Sequence, residues 1–173
     1  GGCCGTTPKH IAQAAKALAK PPRMPAAPEP VRVPPARPNP NANTLAGKLD
    51  MGRRVVAVEL DPPADDDISF FLDGVRTLNA AGADAVTIAD CPIGRPRADS
   101  SLLACKIKRE LGVEPLPHLT CRDRNLNATK ALLLGLAMEG VHNVLLVTGD
   151  PIPSQARDEV KSVFNFNSRK LAR

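Results

Sequence analysis

The feature that most constrains this chain is a repeat of about thirty residues. Four apolar segments end in polar groups in register: VVAVEL (55–60) with Glu59, DAVTIAD (84–90) with Asp90, EPLPHLT (114–120) with His118 and Thr120, and NVLLVTGD (143–150) with Asp150. From Glu59 to Asp90, Thr120 and Asp150 the steps are 31, 30 and 30 residues. Between the segments lie helical patterns. ISFFLDGVRTLNAAG puts Ile68, Phe71, Leu72, Val75 and Leu78 on one face behind the acidic run Asp65 to Asp67, which suits a helix start. SLLACKIKRELG follows the capping residues Asp99 and Ser100 and stops at Gly112, and LNATKALLLGLAMEG follows Asn125 and stops at Gly140. Strand alternating with helix predicts an α/β fold around a parallel sheet with both faces covered. Pro115 and Pro117 make the third strand the weakest of the four.

In such a sheet the repeated polar groups gather at the carboxyl ends of the strands, where ligands bind. Any single polar residue there caps a strand as readily as it serves a site. Four in register mark a rim. No G-x-G-x-x-G or G-x-x-x-x-G-K-[ST] follows the first strand, so the usual phosphate-binding glycine loops are missing. Ser100, Ser101 and Ser168 lack the context of a nucleophile elbow. Two carboxylates, a histidine and a threonine suit proton transfer and cofactor orientation better than acyl transfer. A formal charge of +5, no Trp or Tyr and only four Phe argue against nucleic acid. No long apolar run argues for a membrane partner. The five cysteines read as reduced thiols of a cytoplasmic protein.

At the same residues the chain resembles a known family. VAVELDPP, VTIADCPIGRPRADS, PHLTCRDRNLNA and NVLLVTGDPIP together are similar to methylenetetrahydrofolate reductases, in the form fused behind a homocysteine S-methyltransferase domain. The resemblance runs over about residues 53 to 170. It implies a (β/α)8 TIM-barrel fold, of which the four strands here are roughly the first half. It also implies flavin-dependent reduction of 5,10-methylenetetrahydrofolate to 5-methyltetrahydrofolate, with FAD as cofactor, NAD(P)H as hydride source and folate as partner. Glu59 matches the family's general acid, and Asp150 matches the aspartate beside the flavin. Asp90, His118, Thr120, Thr148, Gly149 and Asp150 fall at cofactor-contacting positions. The family's FEFFPP stands here as VELDPP, which keeps the glutamate.

The opening GGCCGTTPKHI resembles the last strand and final helix of the methyltransferase barrel, where paired cysteines are two of three zinc ligands. Cys3 and Cys4 therefore make an incomplete zinc site, because Cys91, Cys105 and Cys121 lie in no matching context and zinc needs at least three protein ligands. Half of the 18 prolines fall in residues 21–40, which reads as a linker. The expected organisation is a methyltransferase-like tail over 1–20, a proline-rich extended linker over 21–50, and the first half of a reductase-like barrel over 51–173. On this reading the chain is a fragment spanning a junction and inactive alone. Two alternatives stay open: the zinc-dependent methyltransferase activity of a bifunctional parent, and a non-catalytic half-barrel. The choice of NADH or NADPH and a homo-oligomeric state stay open too.

Overall fold

The computed structural model describes residues 6–19 and 44–173, and the chain divides into two units, Gly1–Pro38 and Asn39–Arg173. In the first unit the expected helix forms as α1, Pro8–Leu18. Thr7 precedes it in extended conformation, Pro8 opens it, and the Nδ1 of His10 accepts from the Thr7 amide at 3.2 Å. Cys3 and Cys4, and with them the incomplete zinc site, lie outside the described residues.

The second unit carries, in chain order, α2 (Thr44–Asp50), β1 (Ala57–Leu60), α3 (Ser69–Ala80), β2 (Ala85–Ile88), α4 (Ser100–Leu111), β3 (Pro115–Thr120), α5 (Leu126–Met138), β4 (Leu145–Val147) and the short α6 (Ser168–Leu171). The four strands are parallel and lie in the order β1-β2-β3-β4. Sequential order has no point at which the winding reverses. That separates this α/β sheet from doubly wound sheets and agrees with part of a (β/α)8 barrel. Register follows the pleat: Glu59 pairs with Thr87 and Thr87 with Leu116, while His118 pairs with Leu145.

The apolar faces of α3, α4 and α5 gather into one core against Val86 and Ile88 of β2. Phe71, Val75, Leu103, Ala104, Ile107 and Leu136 are buried there, with Ile68, Leu72 and Leu78 partly covered. On the opposite face Ala57, Glu59 and Leu145 remain exposed. Ala85 and Thr87 of β2 share that face and are buried, so it is covered at β2 and open at the outer strands β1 and β4.

Local chemistry sets the ends of the helices. The Asp99 carboxylate accepts from the amides of Ser101 and Leu102 at 2.8 and 3.1 Å, and Gly112 ends α4 in the left-handed region at φ 65°. Asn125 caps α5 through the Ala128 amide at 2.9 Å. The acidic run before α3 acts one residue early. Asp67 accepts from the Ser69 amide at 2.9 Å, and its bonds to Ser69 hold its carboxyl below the usual range.

Two expectations are corrected here. α2 lies within the 21–50 stretch expected to be extended: Leu45 finds burial, and Lys48 reaches the Asp84 carboxylate, so ordering is repaid. The proline-bearing strand β3 is the longest of the four. Val86 and Ile88 pair with Pro115 and Pro117, and the Val86 amide donates to the Glu114 carbonyl at 2.9 Å. In that parallel pattern the nitrogens of residues 115 and 117 point away from β2. Pairing to β4 begins only at His118, so neither proline omits a hydrogen bond that the ladder uses.

Candidate functional site

The predicted rim exists, and it is built on three turns. The turn after β2 carries Asp90, Cys91 and a 3-10 turn over Pro92–Gly94. That after β3 is Cys-Arg-Asp-Arg (121–124), and that after β4 is Thr-Gly-Asp (148–150).

Glu59 lies near the end of β1 with an exposed carboxylate. Its Oε2 is 3.5 Å from the Nε2 of His118, a close approach without hydrogen-bond geometry. His118 Nε2 is buried with no hydrogen-bond partner among the described residues, which leaves a polar ring atom to be met by whatever occupies this face. The main-chain carbonyl of His118 accepts from Ser100 Oγ at 2.9 Å, which ties β3 to the start of α4.

Asp90 is engaged elsewhere. Its Oδ2 accepts from the Thr120 amide at 3.0 Å, Thr120 Oγ1 at 2.9 Å and Arg124 at 2.8 Å. Arg124 places its other terminal nitrogen on Asp99 at 2.8 Å. Burial is the largest influence on the Arg124 guanidinium and pulls its pKa down, but Asp90 and Asp99 more than offset it and raise it overall. Through Arg124 the end of β2, the end of β3 and the cap of α4 form one network.

Asp150 accepts from the Ile93 amide at 3.1 Å through Oδ2. Beneath it lies Arg122, with its side chain 2% exposed. Arg122 makes a forked pair with Asp123 at 2.6–3.0 Å and donates to the carbonyls of Cys91 at 3.4 Å and Asp150 at 3.2 Å. Its hydrogen bonds to Asp123 raise its pKa. Gly149 has φ +95°, and a Cβ there would sit 3.2 Å from the Cβ atoms of both Arg122 and Thr120. Only glycine fits this turn without strain. Thr148 Oγ1 meets Ser168 Oγ and accepts from the Ser168 amide, each at 3.2 Å, which anchors α6.

The structure thus joins Glu59 with His118, Asp90 with Thr120, and Asp150 with the turn after β2. Among the described residues no hydrogen bond or ion pair joins Glu59 to Asp150 or Thr148 to Asp150. Arg122, Arg124 and Ser168 escaped the reading by strand ends. The signal for the two arginines was CRDRN itself: three alternating charges directly after a strand end, where a solvated loop needs none. No group of three His, Cys, Asp or Glu side chains among the described residues is placed to hold a metal. The thiols of Cys105 and Cys121 are pushed up by burial, which disfavours the thiolate and any nucleophilic role. No helix among the described residues is long and apolar enough to cross a membrane.

A protein-family model described as methylenetetrahydrofolate reductase matches residues 44–169, well over half of the chain. It begins where α2 begins. No curated protein matches the chain.

Proposed function

Since the chain belongs to the methylenetetrahydrofolate reductase family, we propose that it serves the reduction of 5,10-methylenetetrahydrofolate to 5-methyltetrahydrofolate, with FAD bound at the rim and NAD(P)H as the source of hydride. The observation that carries this reading is the pair formed by an exposed carboxyl, Glu59, and a buried histidine nitrogen, His118 Nε2, that has no hydrogen-bond partner among the described residues.

The residues present fit a flavin. An unpartnered Nε2 supports a hydrogen bond to a polar heteroaromatic ring, and the side-chain-free backbone at Gly149 allows a flat group close approach. His118 and the Thr148–Asp150 backbone would hold it. Asp90 and Thr120 act by fixing the ends of β2 and β3. Bound flavin supplies the hydride chemistry, which the protein orients and tunes.

Glu59 has the simpler task. Protonated, it gives its proton to N10 of the folate as the bond from N10 to the bridging methylene breaks. The ring opens to an N5 iminium cation, which takes the hydride and becomes the N5-methyl group. The carboxylate left on Glu59 recovers a proton from solvent, to which its exposed position gives access. His118 sits close enough to orient the carboxyl between transfers. Asp150, at the far strand of the sheet, places a negative charge that favours the cation.

In the flavin-loaded enzyme, Glu59→Gln lowers folate reduction by about 10²–10⁴-fold, the usual scale for loss of a general acid. Flavin reduction by NAD(P)H, read from flavin absorbance, stays near its original rate because it needs no such acid. Equal slowing of both half-reactions would remove Glu59 from the acid role. Fusion behind a zinc-dependent homocysteine S-methyltransferase domain, with Cys3 and Cys4 as two of its ligands, belongs to the same proposal and rests on GGCCGTTPKHI. So do a cytoplasmic location and closure of the barrel by four further strands.

A further inference from the structure

We propose that the cavity of about 510 Å3 where the turns after β2, β3 and β4 meet binds a multiply charged phosphate, held by Arg95, Arg97 and Lys161. This goes beyond the reductase reading and does not depend on it.

Charge matching within the cavity points to an anion. Its inner wall carries Arg122 paired with Asp123, and Arg124 spanning Asp90 and Asp99. That wall keeps one carboxylate in excess, because Arg124 alone answers two. At the mouth, the side chains of Arg95 and Arg97 have neither a carboxylate nor a hydrogen-bond partner among the described residues, and both residues are exposed. Among the described residues Lys161 Nζ meets only the Arg157 carbonyl, at 2.8 Å, so its charge is likewise unmatched there. Three free cations face the single carboxylate by which Asp90 and Asp99 outnumber Arg124. A surplus of two positive charges follows. One carboxylate would leave half of it standing. A phosphate dianion removes it, and its tetrahedral oxygens match two guanidinium forks and one ammonium group.

The main chain that carries two of the cations is also held in place. Gly94 packs so tightly on the turn after β4 that a Cβ would lie 2.9 Å from the Pro151 carbonyl and from Pro153. Cys91 and Ile93 are in the left-handed region at φ 46° and 57°, which a β-branched residue adopts only under constraint. The constraints are visible: Asp150 takes the Ile93 amide, and Arg122 takes the Cys91 carbonyl. Arg95 and Arg97 directly follow this pinned turn. Cations carried beside a concave site on a pinned main chain suit an oxyanion receptor.

Calorimetric titration of the full chain with inorganic diphosphate at pH 7 and low salt tests the proposal. The expected result is saturable one-to-one binding that weakens at least about tenfold in the Arg95→Ala/Arg97→Ala variant, as loss of charge-assisted bonds requires. Added salt weakens it too. Both side chains are exposed, so circular dichroism should show the variant folded. The Arg95→Lys/Arg97→Lys variant keeps the charge and should retain intermediate affinity. An arm with ADP separates the sources: tighter binding than diphosphate assigns the site to a nucleotide, and equal or weaker binding assigns it to free phosphates. Citrate binding as tightly as diphosphate would overturn phosphate recognition. Non-saturating binding, or binding indifferent to the double alanine substitution, would overturn the site.

Discussion

Two regions of the same sheet, a few residues apart, are buried by opposite chemistries. On β2, Ile88 has no exposed surface and packs among Val75, Ala104 and Ile107, which are equally buried. Two residues on, Asp90 is 6% exposed and carries a charge. Leu119 of β3 belongs to the first kind and Arg122, in the turn that follows it, to the second, at 1% and 2% exposed. The helix-covered region is held by area removed from water, which has no direction, so a side chain of similar size and polarity can take another's place. The rim is held by ions whose donors and acceptors answer one another singly. There a substitute must reproduce the geometry or leave a partner stranded. Stability can be shared out loosely in the first region. In the second it is tied to the positions that a ligand needs.

The sharpest way to break this contrast is Arg122→Met, which keeps an unbranched chain and removes the fork. It should destabilise by about 3 kcal/mol in urea unfolding, because Asp123 and the Cys91 and Asp150 carbonyls lose their donor. A loss under about 1 kcal/mol, the scale of an ordinary surface change, would mean that the rim tolerates apolar exchange as a core does. Gly149→Ala comes next. Its φ of +95° and two contacts at 3.2 Å predict about 2 kcal/mol. A neutral result would show that the Thr-Gly-Asp turn yields easily. Ile107→Val, deep in the aliphatic region, should cost about 1 kcal/mol with no other change.

Asp84→Asn should have the smallest effect and the clearest pH signature. Hydrogen bonding from Lys48 and from the Val56 amide holds the Asp84 carboxyl below its ordinary value of 3.8. The folded state therefore favours the ionised form. Its contribution is fully present above the ordinary value and is lost as pH falls through the lowered one. Melting temperatures of the variant and the original chain should differ above about pH 4 and converge in more acidic solution. A difference that persisted or grew in acid would assign the effect to something other than this carboxylate.

Much of the aliphatic region could be read from the sequence, because periodicity reports which face is apolar. The helix of residues 69–80 buries Phe71 and Val75 and partly covers Ile68, Leu72 and Leu78, as its spacing predicts. Asp99 and Asn125 cap where cap chemistry puts them. At the rim the sequence shows which residues come near one another, through the thirty-residue step, but not what they bond to. Nothing local distinguishes Asp90, satisfied by Thr120 and Arg124, from Glu59, which stays exposed beside a histidine. That difference arises only when three turns far apart in the chain converge. The left-handed conformations of Cys91 and Ile93 are hidden for the same reason, since the groups that impose them are Asp150 and Arg122. The helix of residues 44–50 was obscured by its neighbourhood: it follows a proline-dense stretch, and its tie to Asp84 spans 36 residues.

The two prolines of β3 act as a ratchet. β3 offers β4 the amide of Cys121, whose hydrogen goes to the Val147 and Thr148 carbonyls at 3.2 Å. Were β4 to slide two places toward the start of β3, it would call on the nitrogen of Pro117, and two further places on that of Pro115. Neither carries a hydrogen. Sliding by one place would turn every side chain of β4 over to the other face. Displacement in that direction therefore meets a dead end at each step, and the Thr-Gly-Asp turn that β4 carries is delivered to one height on the rim.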